Sequence, residues 1–175
     1  MFYILKLVKK LDIHPRSFGK NLREVIHEKL VQEVEGTCNS KYGYVIAVTK
    51  VDSIGEGLIR QDGTGLATFS VHYSAVVSRP FKGEVVDCVV ATVNKMGFFA
   101  DAGPMQIFVS NHLISDELEF NATGDPSYQS PDGSTRIQEH TEVRVRIVGI
   151  KIDQSDIFCI GTIKEDYLGV LSGPL

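Results

Sequence analysis

The sequence predicts an α+β chain of two domains, with one principal helix in the N-terminal half and mainly strands in the C-terminal half. Residues 1–80 contain a single apolar pattern at helical spacing among strand-like segments. Residues 81–175 contain five strand-like segments, three of them closely spaced and with aromatic residues on the second and third. We therefore expect a β-α-β-β-β domain over residues 1–80 and a five-stranded β-barrel of the oligonucleotide-binding type over residues 81–175.

The composition is that of an ordinary globular protein. The chain has 175 residues, of which 43% are apolar and 23% are charged, so a packed core is expected and disorder is not. No apolar run approaches the ~20 residues that span a bilayer, and the N-terminal apolar stretch is too short for a signal peptide. We therefore expect an intracellular protein with no membrane partner, in which Cys38, Cys88 and Cys159 are buried, reduced thiols.

Residues 2–9 predict a first strand that is apolar on both faces. The side chains that alternate along it are Phe2, Ile4 and Val8 on one face, and Tyr3, Leu5 and Leu7 on the other. A strand of this kind is usually covered on both faces. Because a domain of about this size with one main helix has little to cover both faces, we expect an obligate partner chain.

One helix follows, because apolar residues recur at helical spacing from Leu22 to Val34. Asn21, with Glu24 three residues later, resembles a capping box, which favours a helix start at this point. Gly36 is a suitable stop, because glycine commonly ends helices.

A glycine-rich segment, residues 54–65, connects strands predicted over residues 42–51 and 66–78, the second as one long strand or two short ones. Its glycines permit tight turns and positive φ: Gly55, Gly57, Gly63 and Gly65. Its apolar residues are Ile54, Leu58 and Ile59. Apolar side chains exposed on a turn suit a docking wedge. A phosphate-binding loop is disfavoured, since no Gly-Lys-Ser/Thr follows the glycines.

The C-terminal half begins after Pro80, which ends the preceding strand. Five strands are predicted, over residues 85–93, 98–102, 107–109, 142–152 and 157–163. In the fourth, Val143, Val145 and Ile147 should point inward, and Arg144 and Arg146 outward. Residues 111–117 predict one helical turn. Residues 121–136 are polar and rich in Pro, Gly and Ser, so they predict a loop.

A barrel of this type usually binds a nucleic-acid strand or a partner chain and does not catalyse a reaction. Phe98, Phe99 and Phe108 are candidates for stacking on bases. Because Phe98 and Phe99 are adjacent in a strand, they point to opposite faces, and one of them belongs to the core. The candidates for phosphate contacts are Lys95, Lys164, Arg144 and Arg146, although a solvated barrel face is the better explanation for each of them taken singly.

Neither metal binding nor catalysis is indicated. The five histidines show no metal-ligand spacing. Ser110 and His112 lack the surrounding features of a nucleophile site, which disfavours a hydrolase. We therefore predict no catalytic residue, no metal and no cofactor.

Seven segments, in order along nearly the whole chain, together resemble one family. They are IHPRSFG (13–19), VEGTC (34–38), KYGYVIAV (41–48), RPFKGEVVD (79–87), NKMGFFADAGPM (94–105), IFVSNHL (107–113) and IGTIKEDYLG (160–169). This pattern resembles the seventh subunit of eukaryotic RNA polymerase II, a family that also has an archaeal counterpart.

The resemblance implies a truncated ribonucleoprotein-like domain over residues 1–80 and an oligonucleotide-binding barrel of the ribosomal S-one type over residues 81–175. It implies a noncatalytic subunit that forms a heterodimer with the fourth subunit, as a stalk beside the RNA exit channel. It also implies docking of the glycine-rich tip near the clamp of the polymerase core, roles in initiation and in binding emerging RNA, and a nuclear location that allows shuttling to the cytoplasm.

The residues that the resemblance assigns fall into two groups. For single-stranded RNA they are Lys95, Phe99, Phe108 and His112, with Phe99 favoured over Phe98 as the surface residue. For docking on the polymerase core they are Ile54, Gly55, Gly57, Leu58, Ile59, Gly63 and Gly65.

RNA binding is expected to be weak. Met96 stands before Gly97 where related barrels often have phenylalanine, and Phe108 stands where they often have histidine. Residues 81–175 carry 7 Lys+Arg and 14 Asp+Glu, a net charge of -7, whereas residues 1–80 carry a net charge of +3. Because phosphate binding relies on local positive charge, the barrel must depend on stacking, which distinguishes poorly between bases.

Two alternatives remain open at this point. One is a free-standing single-stranded RNA-binding or translation protein that uses the same barrel, which the glycine-rich tip disfavours. The other is the equivalent subunit of a plant-specific polymerase, which the sequence motifs do not distinguish from that of polymerase II.

Overall fold

The structure is a computed structural model that describes residues 2–122, 124–153 and 156–171. The chain divides into two compact units, the first ending at Arg79 and the second beginning at Pro80. No helix in these described ranges is long and apolar enough to cross a membrane.

The first unit is an antiparallel sheet with one helix. Its elements are β1 (Phe2–Ile13), α1 (Leu22–Val34), β2 (Cys38–Asn39), β3 (Gly43–Ile54), β4 (Leu58–Ile59) and β5 (Ala67–Ser78), with a 3-10 turn at Pro15–Ser17. The strand order is β1-β5-β3-β2, and β4 also pairs with β5. The three long strands and the helix confirm the predicted α+β architecture, and residues 66–78 form one long strand.

The core of the first unit lies between α1 and the sheet. Ile26, Leu30 and Val34 of the helix are buried against β1, β3 and β5. Gly36 follows the helix at φ 73°, as its predicted role as a stop requires. The predicted capping box does not form, because the Asn21 side chain makes no capping hydrogen bond. The helix start therefore depends mainly on burial of its apolar face.

Strand β1 is longer than predicted, but most of its first seven residues are not covered. Among the described strands, β1 pairs with β5 alone and so forms one edge of the sheet. Phe2, Ile4 and Val8 are 56%, 71% and 58% exposed. An exposed apolar edge strand is a feature that isolated proteins usually avoid.

The second unit is built on a closed five-stranded barrel. Its strands are β6 (Val85–Asn94), β7 (Gly97–Ala102), β8 (Met105–Ser110), β12 (Glu142–Ile152) and β13 (Ile157–Thr162). They follow the order β13-β8-β7-β6-β12, and pairing of β12 with β13 closes the barrel. Inward residues such as Val90, Ile107 and Val145 are fully buried. A short strand, β14 (Gly169–Val170), adds to β12.

The loop predicted over residues 121–136 is only partly correct. It contributes β10 (Ser127–Gln129) and β11 (Arg136–Ile137), which join β9 (Glu119–Asn121) in a separate three-stranded sheet. Tyr128 and Ile137 are buried, and Tyr128 Oη donates a hydrogen bond to the Asn94 carbonyl oxygen at 2.9 Å. Each of these strands has only two or three residues, so no alternating pattern marks them. The helical turn predicted over residues 111–117 is a 3-10 turn at Asn111–Leu113.

Candidate nucleic-acid interface

Phe99 and Phe108 form an aromatic pair on the outer surface of the barrel. They lie directly opposite each other on β7 and β8. Their ring centroids are 4.8 Å apart and the rings are tilted by 41°. Both side chains are half-buried, whereas Phe98 is fully buried in the barrel. The expectation that Phe99 and not Phe98 lies at the surface is therefore confirmed.

The pair is extended by a third strand. Strand β13 runs parallel to β8, and this places Ile160 opposite Phe108 and Phe158 opposite Gln106. Ile160 and Phe158 are 43% and 48% exposed. We call Phe99, Phe108, Ile160 and Phe158 the stacking face. The two β13 residues were not predicted from the sequence, because only closure of the barrel brings β13 beside β8.

Gly97 allows the two strands to approach closely beside the aromatic pair. It lies opposite Ser110 and has φ 147°, a backbone conformation that residues other than glycine rarely adopt. A Cβ atom at this position would lie 2.1 Å from the Val109 carbonyl oxygen. Only glycine fits this position, so the geometry of the stacking face depends on it.

Lys95 and His112 lie at one end of the same hairpin. Lys95 is in the turn between β6 and β7, and His112 is in the 3-10 turn after β8. The Asn111 amide donates to the Met96 carbonyl oxygen at 2.9 Å, which ties the two turns together. Both side chains are exposed. The structure therefore brings all four residues predicted for RNA to one hairpin and its flanking turns.

The other candidate cations, Arg144, Arg146 and Lys164, each form an ion pair with a carboxylate. Arg144 donates two hydrogen bonds to Asp87, at 2.6 and 2.8 Å, and these hold the pKa of Asp87 below its usual range. Arg146 pairs with Glu165. Lys164 pairs with Asp116 at 2.7 Å. Each pair neutralises a charge that a phosphate would otherwise attract, which is consistent with weak RNA binding.

The glycine-rich tip differs in part from the prediction. Leu58 and Ile59 are 70% and 69% exposed, as expected. They form the short strand β4, however, paired with Thr68 and Ala67 of β5. The expected exposure of Ile54 is wrong, since its side chain is partly buried against the core of the first unit.

The tip glycines have different roles. Gly63 and Gly65 have positive φ, of 76° and 70°, as turns require. Gly57 does not have positive φ; its Cβ would lie 2.5 Å from the ring of Phe69. The amide of Gly55 donates to the Ser70 carbonyl oxygen at 2.8 Å. For Gly57, the requirement is therefore close packing against an aromatic ring, which the sequence did not indicate.

The titratable side chains form no compact reactive centre in the described part of the chain. No group of three or more His, Cys, Asp or Glu residues that could hold a metal ion lies within it. Cys88 and Cys159 are buried free thiols, and Cys38 is half-buried. Burial raises the pKa of the Cys88 thiol to about 12 and that of Cys159 to about 11. Both thiols are therefore unreactive at neutral pH.

Both units resemble known domains. Residues 8–65 match the family model described as "SHS2 domain found in N terminus of Rpb7p/Rpc25p/MJ0397". Residues 79–161 match the model described as "S1 RNA binding domain". The second match includes every residue of the stacking face.

Curated relatives match over nearly their full length. The chain is 55% identical to the DNA-directed RNA polymerase II subunit RPB7 of Glycine max, over 99% of this chain and 98% of the relative. It is 42% identical to the corresponding Saccharomyces cerevisiae subunit, over 98% and 100%. It is 32% identical to the DNA-directed RNA polymerase V subunit 7 of Arabidopsis thaliana, over 86% and 84%.

Proposed function

The chain belongs to the RPB7 family of DNA-directed RNA polymerase II subunits, and from this premise we propose that it is a noncatalytic stalk subunit whose barrel binds emerging single-stranded RNA. The observation that carries the RNA-binding role is the Phe99–Phe108 pair, at 4.8 Å, within the segment that matches the S1 RNA-binding domain. Identity of 55% to a plant polymerase II subunit, against 32% to a polymerase V subunit, favours polymerase II.

The exposed strand β1 supports a partner chain. Phe2, Ile4 and Val8 place three large apolar side chains in water at the edge of a sheet. In the proposed assembly the fourth subunit of polymerase II covers this strand in a permanent heterodimer. Permanent interfaces often bury more than about 2,000 Å² and are rich in apolar contacts.

The tip supports docking on the polymerase core. Leu58 and Ile59 are exposed on a short strand that pairs with the beginning of β5. In the proposed assembly these side chains insert near the clamp, and residues 54–65 supply the contact. Residues 1–80 thus serve docking and partner binding, and residues 81–175 serve RNA.

RNA binding is proposed to be weak. Stacking contributes about 1–3 kcal/mol per base. Lys95 and His112 lie at one end of the hairpin that carries the aromatic pair, but residues 81–175 carry a net charge of -7. In this setting the subunit acts in initiation and contacts RNA as it leaves the enzyme, in the nucleus and with shuttling to the cytoplasm.

Photocrosslinking of emerging RNA to the heterodimer on polymerase II tests this function. The Phe99→Ala/Phe108→Ala double variant should lose most crosslinking to this subunit. Phe18→Ala, which removes an exposed phenylalanine from the first unit, is the matched control and should crosslink like the wild type. Unchanged crosslinking in the double variant would show that RNA runs elsewhere.

A further inference from the structure

A polar pair adjoins the aromatic pair on the same outer surface. Asp101 and Gln106 lie directly opposite each other on β7 and β8, one outward position along from Phe99 and Phe108. Gln106 Nε2 donates to Asp101 Oδ1 at 3.4 Å, and both side chains are exposed. Phe158 lies opposite Gln106 on the other side. Two polar side chains are thus bordered by aromatic rings on two sides.

The spacing places this pair at the edge of a stacked base. Outward side chains recur at every second residue of a strand, which separates the aromatic pair from the polar pair by about 7 Å. A purine lying flat on Phe99 and Phe108 extends over that distance. Its hydrogen-bonding edge then meets Asp101 and Gln106, where single-stranded RNA is commonly read.

The charge of Asp101 determines which base can present a matching hydrogen-bonding edge. An ionised carboxylate only accepts hydrogen bonds, through two oxygens. Asp101 makes no ion pair with any residue in the described ranges, so no cation neutralises it. Guanine presents two adjacent donors, N1–H and the N2 amino group, followed by the acceptor O6. Adenine, cytosine and uracil each present an acceptor beside their donor. That acceptor would face the second carboxylate oxygen and repel it.

We propose that Asp101 and Gln106 read the Watson–Crick edge of a guanine stacked on Phe99 and Phe108, an inference that rests on the proposed RNA-binding function. The carboxylate accepts from N1–H and N2, and the Gln106 amide donates to O6. For other bases, Asp101 contributes only repulsion of the RNA phosphates. The stacking face therefore binds RNA weakly, but it prefers guanine to the other bases.

Fluorescence anisotropy of the heterodimer with labelled octanucleotides tests the proposal. The probes are oligouridine and the same strand with one central guanosine, inosine or adenosine. A bidentate contact to a base changes affinity by about fivefold to a hundredfold. The guanosine strand should bind at least about fivefold more tightly than the inosine strand, which lacks the N2 amino group, and than the adenosine strand.

Substitution of Asp101 separates base reading from a structural role. Asp101→Asn should abolish the guanosine preference, yet leave oligouridine binding unchanged or slightly tighter, because it removes a repulsive charge. Gln106→Leu should weaken the preference in part. Asp125→Asn, the same change at an exposed position outside the barrel strands, should preserve it.

The outcomes distinguish this inference from the function on which it rests. Equal affinity for guanosine and inosine strands, or a guanosine preference that survives Asp101→Asn, overturns the guanine assignment alone. Absence of binding by every strand, oligouridine included, overturns the RNA-binding function and the guanine assignment together.

Discussion

Arg60 donates a hydrogen bond from Nη1 to Asp12 Oδ2 at 2.8 Å, which joins the tip to the end of strand β1 across 48 positions of the chain. The same guanidinium pairs through Nε with Asp62 at 2.8 Å. Thr68 Oγ1 also donates to Asp12, and these contacts hold the pKa of Asp12 below its usual range. One arginine therefore joins the turn that follows Leu58 and Ile59 to the end of strand β1.

Removal of this arginine should loosen the tip without unfolding the first unit. Because the ion pairs are exposed, Arg60→Ala should change the melting temperature little. It should speed amide hydrogen exchange at Leu58 and Ile59, since their strand loses its support. Hydrogen-exchange mass spectrometry of the heterodimer provides the measurement. Lys50→Ala, which removes a longer ion pair with Asp52, is the control, and equal exchange in both variants contradicts the role of Arg60.

Gly57 should prove intolerant of side chains because of Phe69 and not because of its backbone. Gly57→Val places a Cβ atom 2.5 Å from the ring of Phe69, which is too close for two carbon atoms. Overpacking of this kind costs about 1–3 kcal/mol. Combining it with Phe69→Ala should recover part of the loss, so thermal unfolding of both single variants and the double variant should reveal coupling above about 0.5 kcal/mol. Strictly additive losses exclude the packing explanation.

Substitution of Gly97 should destabilise the barrel more than substitution of Gly103, another glycine with positive φ. Gly97→Ala adds a contact 2.1 Å from the Val109 carbonyl oxygen to the strain at φ 147°. Gly103→Ala carries strain alone, because nothing lies within 4 Å of its added Cβ. Strain of this kind costs about 1–3 kcal/mol. Urea unfolding should therefore show a clearly larger loss for Gly97→Ala, and equal losses would show that β7 and β8 can separate at little cost.

The Asp87–Arg144 pair should stabilise the barrel only above acidic pH. Hydrogen bonding from Arg144 lowers the pKa of Asp87 below its ordinary value of 3.8. Since the folded-state pKa is depressed, the stabilisation is fully present above the ordinary value and is lost as the pH falls through the folded-state pKa.

Melting temperatures between pH 7 and pH 2 test this pH dependence. The wild type should exceed Asp87→Asn by a small margin at neutral pH, because the pair is partly exposed, and the margin should vanish at the acidic end. Asp125→Asn, which removes an exposed carboxylate outside the barrel strands, is the control. A margin that persists after Asp87 is protonated would assign the effect to packing.

Long apolar patterns made most of the fold predictable. Burial of one face produces a periodic apolar pattern, which can be read from the sequence. The pattern has helical spacing in α1, and in β12 it is the alternation of Val143, Val145 and Ile147. The short strands β10 and β11 were missed for the same reason. A strand of two or three residues, such as the one that contains Tyr128, is too short to show a periodic apolar pattern.

The site was predictable where it lies within one hairpin and unpredictable across the barrel. Phe99 and Phe108 belong to consecutive strands, so local pattern placed them together. Ile160 joins them through a parallel pairing between β8 and β13, about 50 positions apart, which only barrel closure creates. The contact of Gly57 with Phe69 is similarly tertiary, and a glycine in a turn-rich segment suggests backbone freedom instead.

The proposed assembly depends above all on docking of the tip, and Ile59 tests it. In that assembly Ile59→Asp buries an unpaired charge against the polymerase core and should weaken attachment strongly. Gln32→Asp adds the same charge at an exposed position of helix α1, outside the tip, and is the matched control. Neither change should affect pairing with the fourth subunit, because neither position lies in strand β1.

Retention of the heterodimer on purified RNA polymerase II core across a salt series measures this docking. We expect the wild type and Gln32→Asp to remain bound up to similar salt concentrations, whereas Ile59→Asp should dissociate at a lower one. Retention of Ile59→Asp equal to that of the wild type would show that the tip is not the anchor. Failure of the wild-type heterodimer to bind the core would contradict the stalk assignment itself.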